Sequence, residues 1–131
     1  MGSYLTKVND YLVPLDDFIY SDEKIEDNIN KIASIDIDEI AIVDHTNTYQ
    51  GSVKKSDIFS NPQKGLTFND IIKKYKKPII TYPQSAADDA MDAMHISKAT
   101  SLPVVNNHLD KKLIGIVKLS DLSKRYQYLY S

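Results

Sequence analysis

The chain of 131 residues contains no cysteine. That excludes a disulfide scaffold, a cysteine nucleophile and thiolate zinc sites, and it suits a reducing compartment. Glycine is scarce, with only Gly2, Gly51, Gly65 and Gly115 present. Four scattered glycines form neither a Walker loop nor a G-x-G-x-x-G fingerprint. No apolar run approaches the ~20 residues of a membrane helix, and there is no signal-peptide core. An excess of one charge is also missing. Lys and Arg number 16 against 18 Asp and Glu, a net charge of −2, so the chain is not built for polyanions. Tryptophan is absent, whereas tyrosine occurs nine times. What remains is the composition of a globule, 42% hydrophobic and 26% charged. The length suits one domain. Residues 1–3, Met-Gly-Ser, read as an expression leader and stay outside the fold argument.

An internal repeat is present. Gly51-Ser-Val-Lys-Lys-Ser-Asp57 matches Gly115-Ile-Val-Lys-Leu-Ser-Asp121, five identities in seven positions at an offset of 64. Upstream, Ile40-Ala-Ile-Val-Asp44 matches Leu102-Pro-Val-Val-Asn106 at an offset of 62. The two extra residues fall in polar turns, His45–Gln50 and Asn107–Ile114. Further upstream, Ile25, Ile29 and Ile32 match Ala87, Met91 and Met94, both sets spaced i, i+4, i+7. That spacing predicts one buried face of an amphipathic helix in each half. Asp22 and Glu23 precede the first helix and Ser85 opens the second, as N-terminal caps would. A shorter echo, Val8-Asn-Asp-Tyr-Leu12 and Phe68-Asn-Asp-Ile-Ile72, predicts a short helix ending ahead of Pro14 or Pro78.

Each half therefore reads as short helix, extended stretch, amphipathic helix, strand, turn, strand, short helix. The extended stretches are Phe18–Tyr20 and Ile79–Tyr82. The repeats span 4–61 and 62–131, with a linker around Ser60–Leu66 rich in turn residues. A unit of ~60 residues holds little core, so the two copies are expected to form one module.

The residues Ser101-Leu-Pro-Val-Val105, then Leu113-Ile-Gly-Ile-Val117 and Asp121-Leu122, resemble the CBS domain, the repeat named after cystathionine β-synthase. Two copies in register, over about residues 4–126, resemble a CBS-domain pair, or Bateman module. The first copy departs from the pattern with Ala41 in place of the proline. The resemblance implies an α/β (α+β) fold of two tandem β-α-β-β-α repeats packed with pseudo-twofold symmetry. It implies a cytoplasmic, non-catalytic regulatory module, a flat homodimer, and no direct membrane insertion. It also implies AMP, ADP, ATP or S-adenosylmethionine as regulatory ligands in clefts between repeats, with no required cofactor.

In that family the aspartate closing the Gly…Asp motif accepts the ribose hydroxyls, which places Asp57 and Asp121 among the candidate ligand residues. A carboxylate suits two adjacent donors. An Asp at a helix start equally caps free N–H groups and complements the dipole. Lys54 and Lys118 stand where the family has Ser or Thr. Their ammonium groups suit a phosphate, while their long stems suit filling the cleft, and capping would then shift to Ser56 and Ser120. Thr81, Tyr82, Ser101, Leu102 and Pro103 occupy the positions lining the second cleft of the family, against a reading as ordinary strand packing. Ile19, Tyr20, Glu39 and Ile40 are their counterparts in the first copy. Glu39 would oppose a phosphate, which favours the second-copy site.

Several other features have plainer readings. Lys73–Lys77 suits a solvated helix end. His45, His95 and His108 lack zinc-ligand spacing, so no metal is expected. Met91 and Met94 suit the core. Tyr126 and Tyr130 share a helix face for a partner or domain contact. No RNP-like strand motif accompanies the aromatics, so nucleic acid is not expected. No nucleophile–base pair, metal set or cofactor loop can be assembled, which argues against an enzyme. The alternatives to a nucleotide sensor are a ligand-free homodimerisation module and the cytosolic regulatory part of a membrane channel or transporter.

Overall fold

The computed structural model describes residues 6–60, 64–72 and 79–130, with side chains as far as Lys124. The lysine run at 73–77, the linker residues 61–63 and the tail side chains of Tyr126 and Tyr130 lie outside the described residues. In chain order the strands are β1 (Val13–Pro14), β2 (Ile19–Tyr20), β3 (Glu39–Val43), β4 (Tyr49–Lys54), β5 (Ser101–Val105) and β6 (Leu113–Lys118). The α-helices are α1 (Ile29–Ala33), α2 (Lys55–Ser60), α3 (Phe68–Ile72), α4 (Ala87–Ser97) and α5 (Leu119–Tyr130). The mixed α/β class expected from the repeat is the one observed.

The chain forms two compact units, 16–78 and a second joining 1–15 to 79–131. These packing units differ from the sequence repeats at 4–61 and 62–131, because the leading segment of each repeat is bonded into the other repeat's unit.

In unit 16–78, β2 runs parallel to β3 with Ile19 opposite Ile42, and β3 pairs antiparallel with β4. Ile25, Ile32, Ile40, Ile42, Val53 and Phe68 form its core, and Ile29 packs against it. The i, i+4, i+7 stripe is therefore the buried one. Its first turn, Ile25–Asn28, is 3-10 rather than α. The cause is local: the Asn28 Nδ2 donates to the Lys24 carbonyl at 2.9 Å, an acceptor that an α-helical amide would use. At the other end of α1, the Lys55 ammonium donates to the Ala33 and Ile35 carbonyls. A cation there meets the negative end of the helix dipole.

In the second unit, β1 pairs antiparallel with β6, and β6 with β5. Val8, Ala87, Ala90, Met94, Leu102, Val104, Val117 and Leu122 form the core, with Met91 packed against it. The apolar face expected of the second helix is thus confirmed.

The helix starts differ from expectation. Ser85 does not open α4. The N-cap is Ala86, with no side-chain cap, and the N-cap ahead of Ile25 is Lys24, also uncapped by its side chain. Backbone carbonyls do the capping instead. Ala87 N–H donates to Thr6 at 2.9 Å and Val8 N–H to Ser85 at 2.9 Å. In the other unit Ile25 N–H donates to Leu66 at 3.0 Å and Phe68 N–H to Glu23 at 3.2 Å. The bridges Lys7–Ala86 and Thr67–Lys24 are repeat-related. Amides at a helix start need partners, and here an exchanged segment supplies them.

Gly51 and Gly115 make room for that segment. A Cβ on Gly115 would lie 2.4 Å from the Val13 carbonyl oxygen. One on Gly51 would lie 2.7 Å from the Ile72 Cγ2. At Gly115 the neighbour is a backbone oxygen that cannot rotate aside, and at Gly51 a φ of +154° adds backbone strain for any side chain.

The turns also share one plan. Asp44 Oδ1 accepts from the Thr46 and Thr48 amides, and Asn106 Oδ1 from the Asn107 and Lys112 amides. These Asx bonds close the turns early, so β4 begins at Tyr49 and β6 at Leu113, inside the stretches read as turn. A register shift follows Ile42 in one sheet and Val104 in the other.

Replacing Gly115 by alanine is expected to destabilise the protein by about 1–3 kcal/mol through overpacking. A thermal melt should show a Tm lower by roughly 3–10 °C. An unchanged Tm would mean that β1 is not held against β6.

Candidate functional site

Both sequence motifs end in a strand that passes directly into a helix. Lys54 closes β4 and Lys118 closes β6, with α2 and α5 beginning on the next residue. Capping does not shift to Ser56 and Ser120, which are the second residues of their helices. The leading amides are held from the side: Lys55 N–H donates to Asp38 at 2.7 Å and Leu119 N–H to Thr100 at 2.9 Å. Asp57 and Asp121 lie in the first helical turns, half-buried, where a carboxylate also complements the dipole.

Across the strands, Ser101 is the register partner of Lys118, and Glu39 that of Lys54. Side chains of register partners share a sheet face. Leu102, Val104 and Val117 enter the helix-covered core, so the alternation puts Ser101, Pro103 and Lys118 on the opposite face. One end of the second sheet thus gathers a hydroxyl, an ammonium and, one helical turn on, the Asp121 carboxylate. Ser101 is 2% exposed. The equivalent end of the first sheet gathers Glu39, Lys54 and Asp57, with Lys54 exposed.

The remaining expected residues are not brought to that end. Leu102 is in the core and offers a ligand only backbone there. Thr81 is buried midway along β5, donating its N–H to Pro103 and accepting from Val105, each at 3.0 Å. Tyr82 follows it, level with Val105 at the far end of β5, about 13 Å along the strand from Ser101 at ~3.3 Å per residue. Tyr20 has a partner of its own. Its ring stacks on His45, centroids 4.6 Å apart and planes 12° apart. His45 Nε2 lies 2.8 Å from each carboxylate oxygen of Asp22. The His45–Asp22 pair was not legible from motif spacing, although the repeat offset aligns Tyr20 and His45 with Tyr82 and Asn107. No group of three or more metal-ligating side chains occurs among the described residues.

Tyr49 shares the outer face of the first sheet with Ser52. Its hydroxyl is 2.6 Å from Ser52 Oγ. Burial pushes its pKa up to about 12, against a smaller lowering by the Ser52 hydrogen bond.

Residues 67–128 match the family model described as the CBS domain. Similar solved structures extend the likeness over nearly the whole chain. The cystathionine β-synthase pair domain of a putative Mg2+ transporter from Shewanella oneidensis MR-1 superposes with a TM-score of 0.79 at 20% identity. It covers 95% of this chain and 72% of that one. This chain has the fold of a CBS-domain pair. CBSX2 in complex with AMP gives a TM-score of 0.76 at 20% identity, covering 95% of this chain and 98% of that one. The CBS pair of MJ0100, in complex with 5′-methylthioadenosine and S-adenosyl-L-methionine, gives 0.74 at 22% identity, with 95% and 98% covered. No curated protein matches the chain at the sequence level. No helix among the described residues is long and apolar enough to cross a membrane.

The raised Tyr49 pKa has a definite sign. The folded chain keeps that proton until about pH 12, whereas the unfolded chain releases it near pH 10. The contribution is fully present below about pH 10 and is lost as pH rises toward 12, on the order of 2–3 kcal/mol in all. Urea unfolding of wild type and Tyr49→Phe at rising pH should therefore diverge, the wild type losing more. Parallel curves would contradict the burial of a neutral phenol.

Proposed function

We propose that this CBS pair is a non-catalytic regulatory module whose second sheet binds an adenosine-containing ligand at its Ser101–Lys118–Asp121 end. One observation carries the reading: two repeat-related sheet ends differ in charge. At the first, Glu39 opposes Lys54. At the second, Ser101 takes the place of that acid. The facing strand there carries a hydroxyl rather than a carboxylate, and an ammonium suits a phosphate or a carboxylate tail. Asp121, one turn on, supplies two acceptor oxygens for the cis hydroxyls of a ribose. Pro103, on the same sheet face, offers apolar surface. The AMP complex of CBSX2 and the methylthioadenosine and S-adenosylmethionine complex of MJ0100 support the ligand class. The module acts as a homodimer in the cytoplasm, relaying ligand state to an attached or partner protein.

A second reading, the cytosolic regulatory part of a membrane transporter, is favoured by the likeness to the Shewanella transporter domain. An extended reading frame with apolar spans of ~20 residues would decide for it.

Titration with AMP, ADP, ATP and S-adenosylmethionine while recording Tm tests the ligand. At a concentration of 100 Kd, binding adds about 2.7 kcal/mol, which at this size raises Tm by roughly 10 °C. Asp121→Ala should abolish the shift for the ligand that gives it, and Asp57→Ala should leave it intact. A flat response to all four at millimolar concentration would remove the proposal. Sedimentation velocity should show a dimer, and a monomer at high micromolar concentration would remove that part.

A further inference from the structure

The two units differ at the other end of their sheets. In unit 16–78, the His45 ring lies on the Tyr20 ring and is held by Asp22. The offset of 62 maps Tyr20, Asp22, Asp44 and His45 onto Tyr82, Gln84, Asn106 and Asn107. Among the described residues, no ring stacks on Tyr82. Asn107 folds back into its own turn, where its Oδ1 accepts from the Leu109 and Asp110 amides and its Nδ2 donates to Asp110. The turn is longer by two residues, and His108 is exposed on it. A cavity of about 410 Å³ results, lined by Tyr82, Pro83, Gln84, Asn106, Asn107 and His108.

We propose that this cavity is a second ligand site, distinct from the Asp121 end, that takes a planar nitrogen heteroaromatic ring such as a nucleobase. The protein itself shows what the position accepts, because its own imidazole stacks there in the sister unit. Tyr82 supplies the π-face, and base–aromatic stacking is tolerant of ring identity. Pro83 supplies an apolar edge. The rim differs from the sister site in charge: Gln84 replaces Asp22. An amide offers both a donor and an acceptor, which suits a ring with both kinds of edge atom. Gln84 has no hydrogen-bond partner among the described residues. The volume lies within the ~300–1,000 Å³ of small-molecule pockets.

The test uses the full chain and free adenine, which has no ribose for Asp121 to hold. Saturation-transfer NMR and calorimetry should show saturable binding at millimolar concentration, with ribose 5-phosphate failing to compete. Tyr82→Ala should weaken binding by about tenfold or more. Asn107→His, which puts the sister unit's ring over Tyr82, should weaken it similarly without lowering Tm, and it tests the site even if Tyr82→Ala folds poorly. Asp121→Ala should leave adenine binding unchanged, which separates this site from the one proposed above. Absence of saturable adenine binding overturns the inference. So does loss of binding in Asp121→Ala, or adenine affinity unmoved in Asn107→His.

Discussion

The structure depends on one backbone exchange. Each amphipathic helix starts without a side-chain cap, and the amide at its start is satisfied by a segment from the other sequence repeat. Ala87 reaches Thr6, and Ile25 reaches Leu66. A buried amide left alone costs about 1–3 kcal/mol, so the exchanged segments cannot leave without consequence. They also bring Val8 and Phe68, both fully buried, into the two cores. Neither sequence repeat completes its own core, and the repeat of ~60 residues is the sequence unit rather than the folding one.

The exchange accounts for the glycine of the Gly…Asp motif. Gly51 and Gly115 lie where Ile72 and Val13 approach, so this part of the motif is architectural. Its other residues are arranged by the same framework. β1 lies along β6, β6 ends at Lys118, and α5 carries Asp121 one turn later. Because the two sheets are alike, the two proposed sites rest on substitutions at matching positions: Glu39 against Ser101 at one end, His45 against Asn107 at the other.

Much of this was legible in the sequence. The strands Glu39–Val43 and Ser101–Val105, the Ile25/Ile29/Ile32 and Ala87/Met91/Met94 faces and the Gly…Asp junctions follow from periodicity and repetition, which are local signals. The exchange was not legible. It is built from backbone hydrogen bonds between residues about 40–80 positions apart, and these leave no side-chain signature. The 3-10 turn at Ile25–Asn28 depends on one Asn28 hydrogen bond, and no periodicity encodes it. Within the candidate site, Ser101 and Lys118 lie side by side because strand register follows from the turn, and Asp121 follows one helical turn on. Tyr82 lies apart from them, since its distance from Ser101 depends on pairing with β5. Leu102 was separated by strand alternation, and Tyr20 by a ring contact across 25 residues.

The central claim is that the second sheet's Ser101–Lys118–Asp121 end, rather than its Glu39–Lys54–Asp57 counterpart, receives an adenosine-type ligand. The most direct measurement is an amide NMR titration of the full chain with AMP. The account predicts saturable shifts at Ser101 and Lys118–Asp121, with Glu39 and Lys54–Asp57 unmoved. Shifts confined to Glu39 and Lys54–Asp57, or no saturable shift at either end, would contradict it.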